Sequence, residues 1–115
     1  MKKPRILIVE DDRDGCRSVK EAIEDAGFET AVAIRGEDGV RQFQEEPADA
    51  VLTDLVLPDI DGMEVLARIR KLDSRVPVLI MTAYGSVSSA VQALKAGAYD
   101  YITKPLDLDD LQSKM

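Results

Sequence analysis

Five short apolar runs alternate along the chain with stretches in which apolar residues recur at helical spacing. The runs cover residues 5–9, 29–33, 50–53, 78–81 and 101–103. Three of them are apolar almost throughout (residues 6–9, 50–52 and 78–81), which is typical of parallel strands buried on both faces. The run at 29–33 is more polar and fits an edge strand. The alternation predicts an α/β fold with a doubly wound parallel sheet.

Helical spacing between and after the runs predicts five helices. Their apolar positions are Cys16, Val19, Ile23 and Ala26; Val40 and Phe43; Val65, Leu66, Ile69 and Leu72; Val87, Ala90, Val91 and Leu94; and Leu108, Leu111 and Met115. Gly27 suits the position just past a helix end. In the fourth helix, the small residues Ser88, Ser89 and Ala93 are expected to flank a thin apolar stripe. Five βα units with right-handed crossovers predict the flavodoxin-like strand order 2-1-3-4-5.

Polar residues whose side chains can bind ions or take part in reactions lie where the predicted strands end: Glu10, Asp11, Asp12, Asp54, Thr82 and Lys104. In this strand order the ligand crevice lies at the carboxyl ends of the first and third strands. The three acids at 10–12 could merely favour a helix N-terminus. Asp54 on the neighbouring strand instead indicates a shared site, since crowded carboxylates repel one another unless a cation is bound. Oxygen ligands with few protein contacts favour Mg²⁺.

Composition narrows the possible functions. The 115 residues predict one domain, with 45% hydrophobic and 32% charged residues. A net charge of −7 argues against nucleic-acid binding by this domain, and no apolar run approaches the ~20 residues of a membrane span. The single cysteine, Cys16, fits a cytoplasmic protein. Histidine is absent, so histidine triads, histidine metal sites and an in-chain phosphohistidine are excluded.

Two other motif interpretations fail. The sequence Asp-Ile-Asp-Gly at 59–62 is similar to part of an EF-hand loop, but the first loop position would then be Leu57 and the last Arg68. A haloacid dehalogenase type of phosphatase needs a second acid two residues after the nucleophile, where this chain has Val56.

Four motifs together carry a family resemblance: ILIVEDD at 6–12, TDLVLPDIDG at 53–62, MTAYG at 81–85 and YITKP at 101–105. They resemble the receiver domain of two-component response regulators over essentially the whole chain. The stretch 81–111 looks most like the receivers of NtrC-type activators of sigma-54 transcription.

The resemblance implies a role for each matching residue. Asp54 would accept a phosphoryl group. Mg²⁺ would be held by Asp11, by Asp54, by the Val56 backbone carbonyl and, through water, by Glu10, with Asp12 as an outer-shell contact. Thr82, Lys104 and the Ala83 backbone N–H would hold the phosphoryl oxygens. Thr82 and Tyr101 would form the switch. Apart from the resemblance, Pro105 directly after Lys104 can direct the lysine side chain, because an X-Pro bond can be cis.

The implied function is a signalling switch and not a metabolic enzyme. A sensor histidine kinase would donate the phosphoryl group, and a face made by helix 4, strand 5 and helix 5 would change to control an output domain or effector, with transcription as the expected output. The resemblance also allows a phosphorylation-linked homodimer. Residues 1–115 are expected to be one receiver domain excised from a longer protein. Two alternatives stay open: a stand-alone adaptor that acts by protein contact, and a pseudo-receiver that never takes phosphate.

Overall fold

The structure of the chain is a computed structural model that describes residues 3–82 and 87–103. Within these residues the chain forms five strands and four helices in strict alternation. In chain order they are β1 Arg5–Val9, α1 Arg13–Asp25, β2 Glu29–Ala33, α2 Gly36–Glu45, β3 Ala50–Asp54, α3 Gly62–Leu72, β4 Val78–Thr82, α4 Val87–Lys95 and β5 Asp100–Thr103.

The five strands make one parallel sheet in the order β2-β1-β3-β4-β5. The predicted fold class and strand order are therefore confirmed, and the polar strand β2 lies at an edge. Strands β3 and β4 each extend one residue beyond the apolar run, to Asp54 and Thr82. The sheet ladder thus fixes the backbone of two predicted site residues.

Both faces of the sheet are covered, as the apolar runs predict. Alternate side chains of β1 enter different cores, with Leu7 and Val9 on the face shared with α2 and α3. Ile6 and Ile8 join Cys16 and other side chains of α1 on the opposite face. This two-sided burial stabilises the centre of the sheet, from which the carboxyl ends of β1 and β3 emerge.

Helix ends follow local signals. Asp12 is the N-cap of α1 and Asp61 is the N-cap of α3, each accepting a backbone N–H through its side chain. Gly27 follows α1 with a φ of 99°, which confirms its predicted position past the helix end. None of the helices within residues 3–82 and 87–103 has the length and apolar character needed to cross a membrane.

The predicted apolar stripe of α4 is wrong at two positions. Val91 and Leu94 are 43% and 50% exposed, whereas Ala93, expected at the flank, is completely buried. A small side chain lets a helix approach the sheet closely, which leaves the larger neighbouring residues at its margin. Ala26 and Leu72 are likewise exposed, at the ends of their helices. The side chains of Val87 and Ala90, and the predicted fifth helix, lie outside the described residues.

Candidate functional site

The sheet register brings Glu10 and Asp54 side by side. Val9 of β1 pairs with Thr53 of β3, so the residues that follow them emerge from the same edge of the sheet. Both acids are buried, with 2% of Glu10 and 7% of Asp54 exposed. The Glu10 backbone N–H donates to the Ala33 carbonyl at 3.0 Å, which holds this residue in line with the sheet.

Asp11 completes an acid cluster with Glu10 and Asp54. One carboxylate oxygen from each residue can be chosen so that the three lie within 4.8 Å of one another. Asp11 is exposed and the other two are buried. Negative charges this close are costly unless a cation lies among them, and an oxygen-only donor set suits Mg²⁺. The residues present therefore fit the predicted metal.

Asp12 stands outside the acid cluster. Its side chain accepts the Asp14 backbone N–H at 3.2 Å, which is the cap of α1, and its own backbone N–H donates to Glu10 Oε1 at 3.1 Å. The structure thus gives Asp12 a capping role and lets its backbone orient Glu10. The outer-shell contact of its side chain stays a prediction.

Hydrogen bonds at the end of β3 and just after it fix the backbone and the carboxylate of Asp54. The Val56 backbone N–H donates to Asp54 Oδ1 at 3.2 Å, and the Thr53 hydroxyl donates to the Asp54 carbonyl at 3.0 Å. The Leu55 N–H donates to the Met81 carbonyl at 2.8 Å and extends the ladder beyond the strand. Val56 contacts the Asp54 carboxylate through its backbone N–H while its side chain is exposed, so an apolar residue is acceptable there.

Each polar or glycine residue of the motif at 59–62 has a structural role that the sequence interpretation missed. Asp59 caps α2 from a distance, with Oδ1 accepting the Gly36 N–H at 2.8 Å and Oδ2 the Glu37 N–H at 2.9 Å. Asp61 caps α3 by accepting the Glu64 N–H at 2.9 Å. No local pattern marks Asp59 as a cap, because its helix begins 23 residues earlier in the chain.

The contacts of Asp59 alter its acidity. Desolvation alone would raise the pKa of this carboxyl, but the backbone N–H groups of Glu37 and Gly36, helped by those of Ile60 and of Asp59 itself, outweigh it. The pKa of Asp59 is therefore held below its usual value. The ionised carboxylate is the form that caps α2.

Thr82 ends β4, and Tyr101 lies within the neighbouring strand β5. Thr82 is fully buried at the end of β4 and pairs with Thr103 of β5. The Tyr101 hydroxyl is buried and has no hydrogen-bond partner among the residues that the structure describes. Lys104, which directly follows β5, lies outside the described residues, as do Ala83 and Pro105.

Known proteins are similar to this chain in sequence. The sequence matches the response regulator receiver domain family over residues 6–115. It is 43% identical over 110 residues to the transcriptional regulatory protein ZraR of Salmonella typhimurium, covering 96% of this chain and 25% of that relative. The chain thus spans about a quarter of that protein's length. This match agrees with the predicted likeness to NtrC-type activators of sigma-54 transcription.

Solved structures are similar over nearly the whole chain. A CheY-like receiver domain protein from Methanospirillum hungatei has a TM-score of 0.92 and 35% identity, covering 98% of this chain and 90% of that one. The CheX-CheY-BeF3-Mg²⁺ complex from Borrelia burgdorferi has a TM-score of 0.91 and 26% identity, covering 96% and 84%. From its sequence, its sheet order and its acid cluster, the chain belongs to the response regulator receiver domain family.

Proposed function

We propose that the chain is a phosphoacceptor switch in which Asp54 receives a phosphoryl group from a sensor histidine kinase. The observation that carries the proposal is the position of Asp54, buried at a strand end with carboxylate oxygens of Glu10 and Asp11 within 4.8 Å. A pseudo-receiver needs no such crowding of acids. Receivers are signalling domains and not classical enzymes, so the chemistry is confined to loading and unloading one residue.

The reaction begins from the orientation of Asp54. The Val56 N–H donates to Oδ1 at 3.2 Å and so orients the carboxylate that attacks phosphorus. The bond from Asp54 to phosphorus forms while the phosphorus–nitrogen bond of the donor phosphohistidine breaks, and the electron pair returns to the imidazole. In-line displacement of this kind depends mainly on positioning and charge stabilisation.

Glu10, Asp11, Asp54 and the Val56 backbone carbonyl would hold Mg²⁺ at this site. When bound, the ion neutralises negative charge shared by the carboxylates and the transferred phosphoryl group. The remaining phosphoryl oxygens would be met by the Thr82 hydroxyl, the Ala83 backbone N–H and the Lys104 ammonium. Thr82 is the last residue of β4, and Lys104 is the next residue in the sequence after β5, the strand that pairs with β4.

The output follows from the same geometry. A phosphoryl group adds close to two negative charges and three acceptor oxygens, toward which the buried Thr82 hydroxyl would turn. The space that it leaves would be taken by the ring of Tyr101, and the face of α4 and β5 would repack. We propose that this surface signals to an output domain or effector in the cytoplasm, with transcription as the regulated process.

Intact-protein mass spectrometry tests the proposed function. The chain is incubated with acetyl phosphate, with Mg²⁺ in one sample and a chelator in the other. We expect one added phosphoryl group with Mg²⁺ and almost none with the chelator. An unchanged mass in both samples, at acetyl phosphate concentrations that label other receivers, would overturn the proposal.

A further inference from the structure

Helix α2 begins without a cap from its own sequence. Arg35 occupies the N-cap position and makes no side-chain hydrogen bond to the helix. The first two helical N–H groups instead donate to the two oxygens of Asp59, which belongs to the loop between β3 and α3. An ionised carboxylate at this end is also favoured by the helix dipole. Asp59 therefore joins two elements that are distant in sequence.

In addition to these hydrogen bonds, the start of α2 packs closely against the loop between β3 and α3. An ideal β-carbon at Gly36 would lie 3.1 Å from the Ile60 carbonyl oxygen and would overlap the Ile60 side chain. The start of α2 and the loop thus touch through backbone and side chain alike. Because Gly36 has no side chain, the loop can lie directly on the helix end.

The same loop carries groups of the proposed metal site. It begins at Leu55, which is fixed by the Met81 carbonyl, and it ends at Asp61, the cap of α3. Between these points, Val56 supplies the N–H that holds Asp54, and its carbonyl is the proposed backbone ligand. The middle of the loop is held to a neighbouring element by Asp59.

We propose that Asp59 is a positioning residue for the metal site, acting through the loop to hold the Val56 backbone beside Asp54. The inference rests on the proposed function, since it takes the Val56 carbonyl to be a Mg²⁺ ligand. It adds that α2 and the metal site are mechanically coupled: Mg²⁺ binding changes the environment of the Gly36 and Glu37 amides, although these groups belong to a different element.

Mg²⁺ titration of Asp59→Ala, monitored by amide NMR, tests the coupling. Loss of groups that orient metal ligands costs about 10- to 100-fold in metal affinity. Asp59 acts through the backbone and not on a ligand directly, so we expect a loss of about tenfold. In the wild-type chain, the Gly36 and Glu37 resonances should respond to Mg²⁺, and in the variant the response at these two amides should be lost.

Two further variants separate positioning from stability. Val40→Ala removes part of a buried α2 side chain while leaving both Asp59 hydrogen bonds in place, and should bind Mg²⁺ like the wild type. Asp59→Asn retains one accepting oxygen and should fall between wild type and Asp59→Ala, so it decides the test if Asp59→Ala does not fold.

The outcomes distinguish this inference from the proposed function. Equal Mg²⁺ affinity in the wild type and the Asp59 variants, or an equal loss in Val40→Ala, would overturn the positioning role and leave the metal site intact. Silent Gly36 and Glu37 amides in a wild-type chain that binds Mg²⁺ would also overturn it. A wild-type chain that binds no Mg²⁺ would overturn the metal site together with the inference.

Discussion

Gly62 lies against the backbone of Asp54 so closely that an ideal β-carbon at residue 62 would overlap the Asp54 carbonyl oxygen. The same β-carbon would lie 2.8 Å from the Leu55 Cα, and the Gly62 N–H donates to the Leu55 carbonyl at 2.8 Å. The start of α3 thus packs directly under the residue proposed to accept phosphate. Any side chain at position 62 must displace the backbone that carries the Asp54 carboxylate.

Gly62→Ala is therefore expected to impair both folding and phosphorylation. Overpacking of this kind costs about 1–3 kcal/mol of unfolding free energy, and the displaced Asp54 should be phosphorylated more slowly. Gly27→Ala is the matched control. Residue 27 also needs glycine because its φ is 99°, but an added β-carbon there meets nothing within 4 Å. Urea unfolding should show a loss of stability in both variants. Acetyl phosphate kinetics should show slower phosphorylation only in Gly62→Ala. Equal phosphorylation rates in the two variants would contradict the close-packing explanation.

Asp11 and Asp12 are expected to separate metal binding from stability. Asp11→Ala removes an exposed member of the acid cluster, so Mg²⁺ affinity should fall at least tenfold with little change in unfolding free energy. Asp12→Ala removes the α1 cap and should cost about 1 kcal/mol with a smaller effect on Mg²⁺. Metal titration and urea unfolding measure the two quantities. A larger loss of affinity in Asp12→Ala would reverse the assignment.

The cap that Asp59 provides should make stability depend on pH in the acidic range. Its pKa is lowered in the folded protein, so ionised Asp59 stabilises the fold above the unfolded-state pKa of about 3.9. That contribution is lost as the pH falls through the folded-state pKa. The wild type should exceed Asp59→Ala by about 0.5–2 kcal/mol at pH 7, and the difference should shrink below about pH 4. Urea unfolding from pH 3 to pH 7 gives both values, and a difference independent of pH would contradict the ionised cap.

Removal of the Tyr101 hydroxyl should not destabilise the resting protein. This buried oxygen has no partner among the described residues, and an unsatisfied buried polar group costs about 1–3 kcal/mol. Tyr101→Phe should therefore be as stable as the wild type or more stable, by up to about 1 kcal/mol. Tyr99→Phe serves as a control, because Tyr99 is exposed and its change should stay within about 0.5 kcal/mol. Thermal or urea unfolding would contradict the prediction if Tyr101→Phe were clearly less stable than both.

The sequence predicts the sheet because its strands carry a local signal. Continuous apolar runs identify β1, β3 and β4, and the two-sided cores confirm why they are apolar throughout. The proximity of Glu10 to Asp54 was also predictable, since it follows from strand order alone. The buried face of helix α4 was harder to predict from the sequence. With both small and large apolar residues available, the pattern could not show that the buried residue is Ala93 and not Leu94.

The contacts that tie the site to its surroundings left no such signal. Asp59 caps a helix that starts 23 residues before it, and Gly62 is required by the nearness of Asp54 in space. Spacing along the chain encodes periodicity, whereas these contacts depend on how the β3–α3 loop lies against α2. Sequence motifs thus identified the acids of the site but not the groups that hold their loop in position.

Chemical trapping of the phosphorylated residue tests the central claim most directly. An acyl phosphate is reduced by borohydride to an alcohol, so an aspartyl phosphate becomes homoserine, whose position can be read by peptide mass spectrometry. After treatment with acetyl phosphate and Mg²⁺, we expect homoserine at position 54 alone, and no phosphoryl gain in Asp54→Asn. Homoserine at position 11 or 12 in the wild type, or a full phosphoryl gain in Asp54→Asn, would contradict the assignment of Asp54 as the phosphoacceptor.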